Sequence, residues 1–208
     1  MKIDPITLSG RFVRLEPLSL NHVKPLTNAA RGNEALFKWT FVPQGISGMR
    51  AYVEKAIQGA QEGSMSAYAI VDATLGTTLG STRFWNIQFW DWPKTHSRFE
   101  NKFPDVCEIG HTWLTAEAIR KPVNTEAKLL LLGHAFETWG SLRVCFQTDV
   151  RNERSRAAIQ RIGGKFEGIV RADRLASDFT IRDTARFSIL DTEWNGIKEQ
   201  LKSRLDLP

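Results

Sequence analysis

The sequence predicts a single α+β domain, and three observations support this prediction. Short apolar or β-branched segments alternate along the chain with longer segments that repeat apolar residues at helical spacing. The 208 residues are 42% hydrophobic and 25% charged, which is enough apolar material for one sizeable core. No repeat or low-complexity segment divides the chain. We therefore predict one domain over residues 1–208.

The strands and helices follow from the same patterns. Apolar and alternating runs predict strands at 11–15, 66–72, 78–87, 108–114, 142–149, 165–171 and 184–190. Helical spacing predicts helices at 20–31, 49–62, 124–139, 152–162 and 191–205. The third helix contains four consecutive leucines and ends at Gly140, a residue type that favours a helix C-terminus. The last helix carries one apolar stripe for packing on a sheet, formed by Trp194, Ile197, Leu201 and Leu205.

A basic turn joins the apolar strand 108–114 to the helix at 124–139. It runs from Arg120 through Lys121 to Thr125 and opens directly onto the helix N-terminus. Unpaired N–H groups point outward at such a terminus, and the helix dipole favours negative charge there. The turn therefore predicts a phosphorylated ligand lying beside the sheet.

This part of the chain resembles motif A of the GNAT acyl-CoA N-acyltransferases. The family's loop is Gln/Arg-x-x-Gly-x-Gly/Ala; Arg120 fits it, whereas Val123 and Thr125 stand where small residues are usual. The start Asn124-Thr125-Glu126-Ala127 is similar to a variant in the ribosomal-protein N-terminal acetyltransferase-like (Rim-type) subfamily. Because valine disfavours positive φ, we expect helical or extended backbone throughout this loop.

The resemblance covers nearly the whole chain. Residues 8–18 resemble the first strand of the subfamily, 79–84 its third strand, and 182–194 its final strand and helix start. It implies a GNAT-type domain with a central mixed, mostly antiparallel sheet of about seven strands and helices on both faces. It also implies transfer of an acetyl group from acetyl-CoA to a primary amine, with a peptide or protein N-terminus favoured.

The resemblance also implies which residues bind the cosubstrate acetyl-CoA, and it implies no metal. Backbone at Trp113, Leu114 and Thr115 would bind pantetheine, and one N–H there would bind the thioester oxygen. For the side chain of Trp113 alone, core packing is the favoured interpretation. The pyrophosphate would lie over the basic turn, whose contributing residues are Arg120, Lys121, Val123, Asn124 and Thr125. Asn152 and Ser155 would lie near the pantetheine and the sulfur.

Ser155 is the candidate general acid for the leaving thiolate. With Asn152 as N-cap, Ser155 occupies the third position of the helix, where its hydroxyl can face a ligand. The alternative is that the hydroxyl only helps to cap its own helix.

Glu108 and His111 are the candidates for the general base. Their odd separation on one strand places them on opposite faces unless a bulge intervenes. Histidine titrates near neutral pH unaided, whereas a glutamate needs burial to raise its pKa. The subfamily resemblance ranks Glu108 first. Each also has a structural interpretation: His111 as a core group, and Glu108 as the partner of an arginine such as Arg83.

The two cysteines show no metal or redox spacing. Cys107 and Cys145 are therefore predicted to be reduced core residues, and neither lies in a histidine-activated motif. We accordingly predict direct transfer in a ternary complex without an acyl-enzyme. The first residues do not resemble a signal peptide, and the longest aliphatic block is too short to cross a bilayer. We therefore expect a cytoplasmic protein without membrane association.

The formal net charge is +5, and the basic residues are dispersed except for Arg151, Arg154, Arg156 and Arg161. No nucleic-acid-binding motif accompanies them, so we favour a rim for coenzyme A or a solvated surface over a nucleic-acid site. Other interpretations stay open: a non-catalytic acyl-CoA-binding module, a ribosome- or RNA-associated protein, or an enzyme acting on a small amine, antibiotic or toxin. The aromatic connection 86–106 is predicted to be an acceptor-side lid, with a homodimer contact as the alternative.

Overall fold

The computed structural model describes residues 5–206, so the expectation about a signal peptide, which concerns residues 1–4, lies outside the described residues. Within these residues, eight strands form one sheet in the order β1-β2-β3-β4-β5-β6-β8-β7. Their bounds are β1 Leu8–Ser9, β2 Val13–Pro17, β3 Met65–Asp72, β4 Thr78–Gln88, β5 Val106–Leu114, β6 Arg143–Asp149, β7 Lys165–Leu175 and β8 Ile181–Leu190.

In the described part of the chain, five α-helices accompany the sheet: α1 Val23–Ala30, α2 Gly45–Gln61, α3 Val123–Gly133, α4 Glu153–Arg161 and α5 Asp191–Asp206. Short 3₁₀ turns lie at Leu20–His22, Glu34–Phe37 and Ala116–Ala118. A π turn, His134–Thr138, follows α3. Within residues 5–206, no helix is both long and apolar enough to cross a membrane.

The sheet is antiparallel except between β5 and β6, and this exception creates the site. These two parallel strands pair at only three positions, Val106 with Arg143, Cys107 with Val144 and Glu108 with Cys145. Beyond Glu108 the strands separate, and the rest of β5 has a paired neighbour only on the β4 side. A gap therefore opens at the C-terminal end of β5, next to the start of α3.

Helices pack on both faces of the sheet, as the sequence predicted. The larger core lies between one face and α3, α4 and α5, and it includes Phe84, Leu131, Phe187 and Trp194. The smaller core lies between the other face and α1 and α2, and it includes Leu26, Met49 and Trp113. On this second face, the half of the sheet formed by β6, β8 and β7 carries mostly polar side chains.

All predicted strands and helices are present, with small differences at their ends. The strand predicted at 11–15 is β2. The turn at Gly10 separates it from β1, which was not predicted and is the eighth strand of the sheet. The carboxylate of Glu126 fixes this turn by accepting hydrogen bonds from the N–H groups of Arg11, Phe12 and Val13 at 2.6–2.7 Å. The predicted helix 124–139 is α3 continued by the π turn, and Gly140 ends it with a φ of +64°.

Candidate active site

A cavity of about 470 Å³ begins in the gap between β5 and β6. Its walls come from the second half of β5, the first turns of α3 and α4, and side chains of β4, β6, β7 and β8. Ten of the predicted site residues line it: Glu108, His111, Trp113, Leu114, Arg120, Lys121, Asn124, Thr125, Asn152 and Ser155. The cavity therefore joins the predicted phosphate turn to both candidate bases.

The phosphate turn has the features of an anion site, but its backbone differs from the prediction. Arg120 has a φ of +63°, so one residue of the loop is left-handed although we expected none. Val123 has helical geometry as the first residue of α3. Its backbone is unstrained, because the sharp bend of the loop lies at Arg120. Pro122 is the N-cap, and no side chain of the described residues caps this turn. The first N–H groups of α3 are thus free to bind a pyrophosphate.

Two predicted cofactor contacts have other roles. The N–H of Thr115 donates to the carbonyl of Leu79 at 2.8 Å, so it is not available to pantetheine. Successive N–H groups of a strand point to opposite sides, and therefore the N–H of Leu114 faces the gap. The side chain of Val123 is buried in the larger core, which leaves only its backbone near the cavity.

The start of α4 separates the roles of Asn152 and Ser155. The side-chain oxygen of Asn152 accepts a hydrogen bond from the N–H of Ser155 at 3.1 Å, which confirms Asn152 as the N-cap. This cap uses the backbone of Ser155 and leaves its hydroxyl out. Because Ser155 also lines the cavity, the hydroxyl is placed to reach a ligand there.

A β-bulge brings both candidate bases to one cavity. Gly110 pairs with Arg83 and Trp113 with Ser81, so two residues of β5 oppose one residue of β4. His111 is one of these two, and its φ is +51°. The bulge turns His111 to the face that carries Glu108, and its ring contacts that of Trp85 with centres 5.1 Å apart. Glu108 and His111 therefore lie on the same face of the sheet, which their odd separation would not allow in a regular strand.

The protein shifts the pKa values of these two groups in opposite directions. Glu108 is buried and accepts a hydrogen bond from Gln147 at 2.6 Å; burial raises its pKa to about 7. His111 is exposed at the cavity wall, but loss of solvent around its ring and nearby cations lower its pKa to about 4. Glu108 therefore titrates near neutral pH, whereas His111 is uncharged there and a weak base.

The structure does not support the structural interpretations of Glu108 and His111, but it supports that of Trp113. Glu108 does not pair with Arg83, whose guanidinium instead lies 4.6 Å from the ring centre of Tyr52. His111 lies on the cavity wall and not in the core. Trp113 does pack in the smaller core, edge-on to Phe37 with ring centres 5.5 Å apart, as expected for its side chain.

Sequence patterns missed several residues of the site. Lys128 is buried and lines the cavity, where its ammonium nitrogen donates to the Thr112 hydroxyl at 2.8 Å. Burial lowers the pKa of Lys128 to about 7. A charged residue one turn after Asn124, within an apolar helix, was the available signal. Arg174 and Arg182 also line the cavity, and only the strand pairing of β7 with β8 brings them there.

The cysteines match the prediction only in part. Both are free, and Cys107 is buried in the core. Cys145 is half-buried and lines a second cavity of about 270 Å³ instead of the core. Burial raises the pKa of both thiols, so neither is a thiolate at neutral pH. This second cavity also contacts Glu108 and Trp90.

Two parallel strands that separate beside an uncapped helix start form the arrangement expected for the N-acyltransferases that use acyl-CoA. The chain belongs to the GNAT acetyltransferase family, because the family's model, described as an acetyltransferase (GNAT) domain, matches residues 13–165. Enzymes of this family are acyl-CoA-dependent N-acyltransferases that use acetyl-CoA. Within residues 5–206 no group of three or more His, Cys, Asp or Glu side chains could hold a metal ion.

Three known proteins are similar to this chain. It is 38% identical over 91 residues to the Bacillus subtilis (strain 168) protein named "Putative ribosomal N-acetyltransferase YdaF"; the match covers 44% of this chain and 49%, about half, of that relative. A GCN5-related N-acetyltransferase from Brucella melitensis is 28% identical, with a TM-score of 0.85, over 99% of this chain and 87% of that one. Mycobacterium smegmatis RimJ, solved with CoA-disulfide, shares the fold at 17% identity and a TM-score of 0.79, over 96% and 95% of the two chains.

Proposed function

We propose that this enzyme acetylates the N-terminal amine of a peptide or protein by direct attack on the thioester of acetyl-CoA. The observation that carries this proposal is the position of Glu108, a carboxyl with a pKa of about 7 at the end of the cavity that begins at the phosphate turn. A carboxyl group with this pKa is half-ionised at neutral pH. Its ionised form can accept a proton from an amine whose own pKa is only slightly higher.

The cosubstrate supplies an activated acetyl group, and the chain holds it at three places. Arg120, Lys121 and the free N–H groups at the start of α3 bind the pyrophosphate through charge and hydrogen bonds. The backbone of β5 facing the gap binds the pantetheine arm. The N–H of Leu114 donates to the thioester oxygen, where such a donor contributes about 3–4 kcal/mol to transition-state stabilisation.

Ser155 is the proposed acid for the departing thiolate. Its hydroxyl lines the cavity and takes no part in capping α4. Asn152 holds the first turn of α4 and so fixes the position of Ser155.

Direct attack is supported by the state of the cysteines. An acyl-enzyme would need a thiolate, and burial disfavours the charged form of both Cys107 and Cys145. A Cys107→Ala, Cys145→Ala variant should keep most of its turnover. A cysteine acetylated during turnover and trapped by mass spectrometry would overturn direct transfer.

The preference for a terminal amine rests on acid–base matching and on a relative. An α-amino group has a pKa of about 7.7–8.0 and a lysine about 10.4, so a base with a pKa near 7 suits the former. The B. subtilis relative is named as a ribosomal N-acetyltransferase. Peptides with the free N-terminal sequences of ribosomal proteins are therefore the first acceptors to test.

The test is a panel of acceptors with detection of released thiol and of the acetylated atom by mass spectrometry. The panel holds peptides with a free N-terminus, the same peptides blocked at the N-terminus but carrying lysine, and small amines. We expect the free N-terminal peptides to give the highest kcat/KM. Faster turnover of small amines would assign the enzyme to that class. CoA binding without turnover of any acceptor would make the protein a binding module.

A further inference from the structure

The acceptor end of the cavity is strongly cationic. Four cations from four different elements act on His111: Arg83 of β4, Arg174 of β7, Lys55 of α2 and Arg182 of β8. Nearby carboxylates compensate only part of this charge. Asp173 pairs with Arg174 at 2.7 Å, and Asp149, which faces Arg182, is already paired with Arg151 at 2.7 Å.

Arg83 forms no ion pair with a carboxylate among the described residues. It is only 4% exposed, and its Nε and one terminal nitrogen have no hydrogen-bond partner among the described residues. Its other terminal nitrogen contacts the sulfur of Met65 at 3.5 Å, and the guanidinium lies over the ring of Tyr52. Burial of a charge without a counterion is costly, and its field extends into the adjoining cavity. Together with Arg174 and Arg182, this charge favours a negatively charged ligand at the acceptor end, although Glu108, Asp149 and Asp173 offset part of it.

A chain of hydrogen bonds connects Arg174 to the proposed base, Glu108. Arg174 donates to the side-chain oxygen of Gln147 at 2.9 Å, and the nitrogen of Gln147 donates to Glu108 at 2.6 Å. An anion held by Arg174 would thus lie within two side chains of Glu108. The second cavity continues the same face with Arg186, whereas its other arginine, Arg143, is paired with Glu167.

We propose that Arg174 and Arg182 form an anion subsite that selects acceptors with acidic side chains next to the reactive amine, namely peptide N-termini with Asp or Glu at the second and third positions. This inference rests on the proposed function and specifies its substrate class. Guanidinium groups bind carboxylates with charge-assisted hydrogen bonds, often through two atoms at once. The unpaired charge of Arg83 behind them adds to the attraction without a contact of its own.

The test compares pairs of peptides that differ only in Glu or Gln at positions two and three. We expect a kcat/KM about tenfold higher for the acidic peptides, as one accessible charge-assisted contact produces. The difference should shrink as salt is raised, because ions screen charges that solvent reaches. Arg182→Gln should reduce the preference, mainly through KM. Arg204→Gln, which removes the same charge at the end of α5, is the matched control and should leave the preference unchanged.

The outcomes of this test distinguish failure of the anion subsite from failure of the proposed function. Turnover of all peptides without a difference between acidic and amide pairs would overturn the subsite and leave N-terminal acetylation standing. Failure of every peptide would remove the proposed function as well. Faster acetylation of free glutamate or aspartate than of any peptide would replace the peptide with a small anionic amine. Unchanged CoA affinity in Arg182→Gln shows that the variant is folded, so loss of the preference then supports the subsite.

Discussion

Glu108 is the residue on which the proposed chemistry most depends, and its pKa of about 7 gives a test by pH. Glu108→Gln should lower kcat/KM by about 100-fold, the lower end of general-base effects. The amine also titrates, so the ratio of wild type to variant is the quantity to measure. Since only the deprotonated carboxylate is active, this ratio should rise with pH through about 7 and then level.

His111 supplies the control for that experiment. Because its pKa is about 4, His111→Asn should leave the rise near pH 7 in place. A pH profile that flattens in His111→Asn and persists in Glu108→Gln would reverse the two roles. CoA affinity should be unchanged in both variants, because neither residue lies at the phosphate turn.

Ser155 offers a clean separation of catalysis from stability. Asn152 caps α4 by accepting from the backbone N–H of Ser155, and the hydroxyl of Ser155 takes no part. Ser155→Ala should therefore keep its thermal stability and lower turnover by about 100-fold. Asn152→Ala is the opposite case, because loss of an N-cap costs about 1 kcal/mol of stability. Wild-type turnover in Ser155→Ala, with chemistry rate-limiting, would show that the hydroxyl assists no leaving group.

Lys128 links the cavity to the pH dependence of folding. Its folded pKa of about 7 lies below the unfolded value of about 10.4, so the unfolded chain binds more protons between these limits. Stability from this residue should therefore rise with pH from about 7 to 10. Lys128→Met should be more stable than wild type at pH 7, and the gain should shrink towards pH 10. Lys202→Met on the surface of α5 should show no such trend; the same trend in both variants would exclude Lys128 as its source.

At the scale of elements, the phosphate turn combines charge with a strained backbone. Arg120→Ala with Lys121→Ala should weaken CoA binding about tenfold at low ionic strength and less at high salt. Alanine carries a Cβ as arginine does, so the left-handed residue is no more strained and the fold should be kept. Arg50→Ala with Lys202→Ala removes equal charge from α2 and α5. Equal affinities in the two double variants would remove the turn from the CoA site.

Elements could be predicted from sequence wherever the cause is local. Gly140 ends its helix and Asn152 caps the next because glycine tolerates positive φ and a short amide reaches a neighbouring N–H. The bulge at His111 could not be predicted, because it depends on how β4 and β5 pair. The left-handed backbone of Arg120 could not be predicted either. The sequence indicates that Val123 disfavours positive φ, but it does not indicate which residue of the loop adopts it.

At the scale of the whole molecule, the acceptor site is assembled from distant parts of the chain. The sheet order β4-β5-β6-β8-β7 brings together Trp85 of β4, Glu108 of β5, Gln147 of β6 and Arg174 of β7. No sequence pattern relates these positions. The cofactor side, in contrast, comes from consecutive residues at the start of α3, which explains why sequence identified it more completely.

The aromatic connection between β4 and β5 lies at the other end of β5 from the phosphate turn, and one side chain fixes it. The carboxylate of Asp105 accepts from the N–H of Trp90 at 2.8 Å, the indole of Trp92 at 2.9 Å and the guanidinium of Arg98 at 3.2 Å. Trp90 lines the second cavity together with Glu108, although about half of its surface stays exposed. This arrangement favours the prediction of an acceptor-side lid.

Asp105→Ala tests this lid, because it leaves three donors without their shared acceptor and should loosen the connection. We expect a raised acceptor KM and altered acceptor preference, with CoA affinity unchanged since the phosphate turn is remote. Asp91→Ala, at an exposed position of the same connection, is the control. A change in oligomeric state with unchanged acceptor kinetics would make the connection a subunit interface. Loss of the fold, and of CoA binding with it, would make it part of the core.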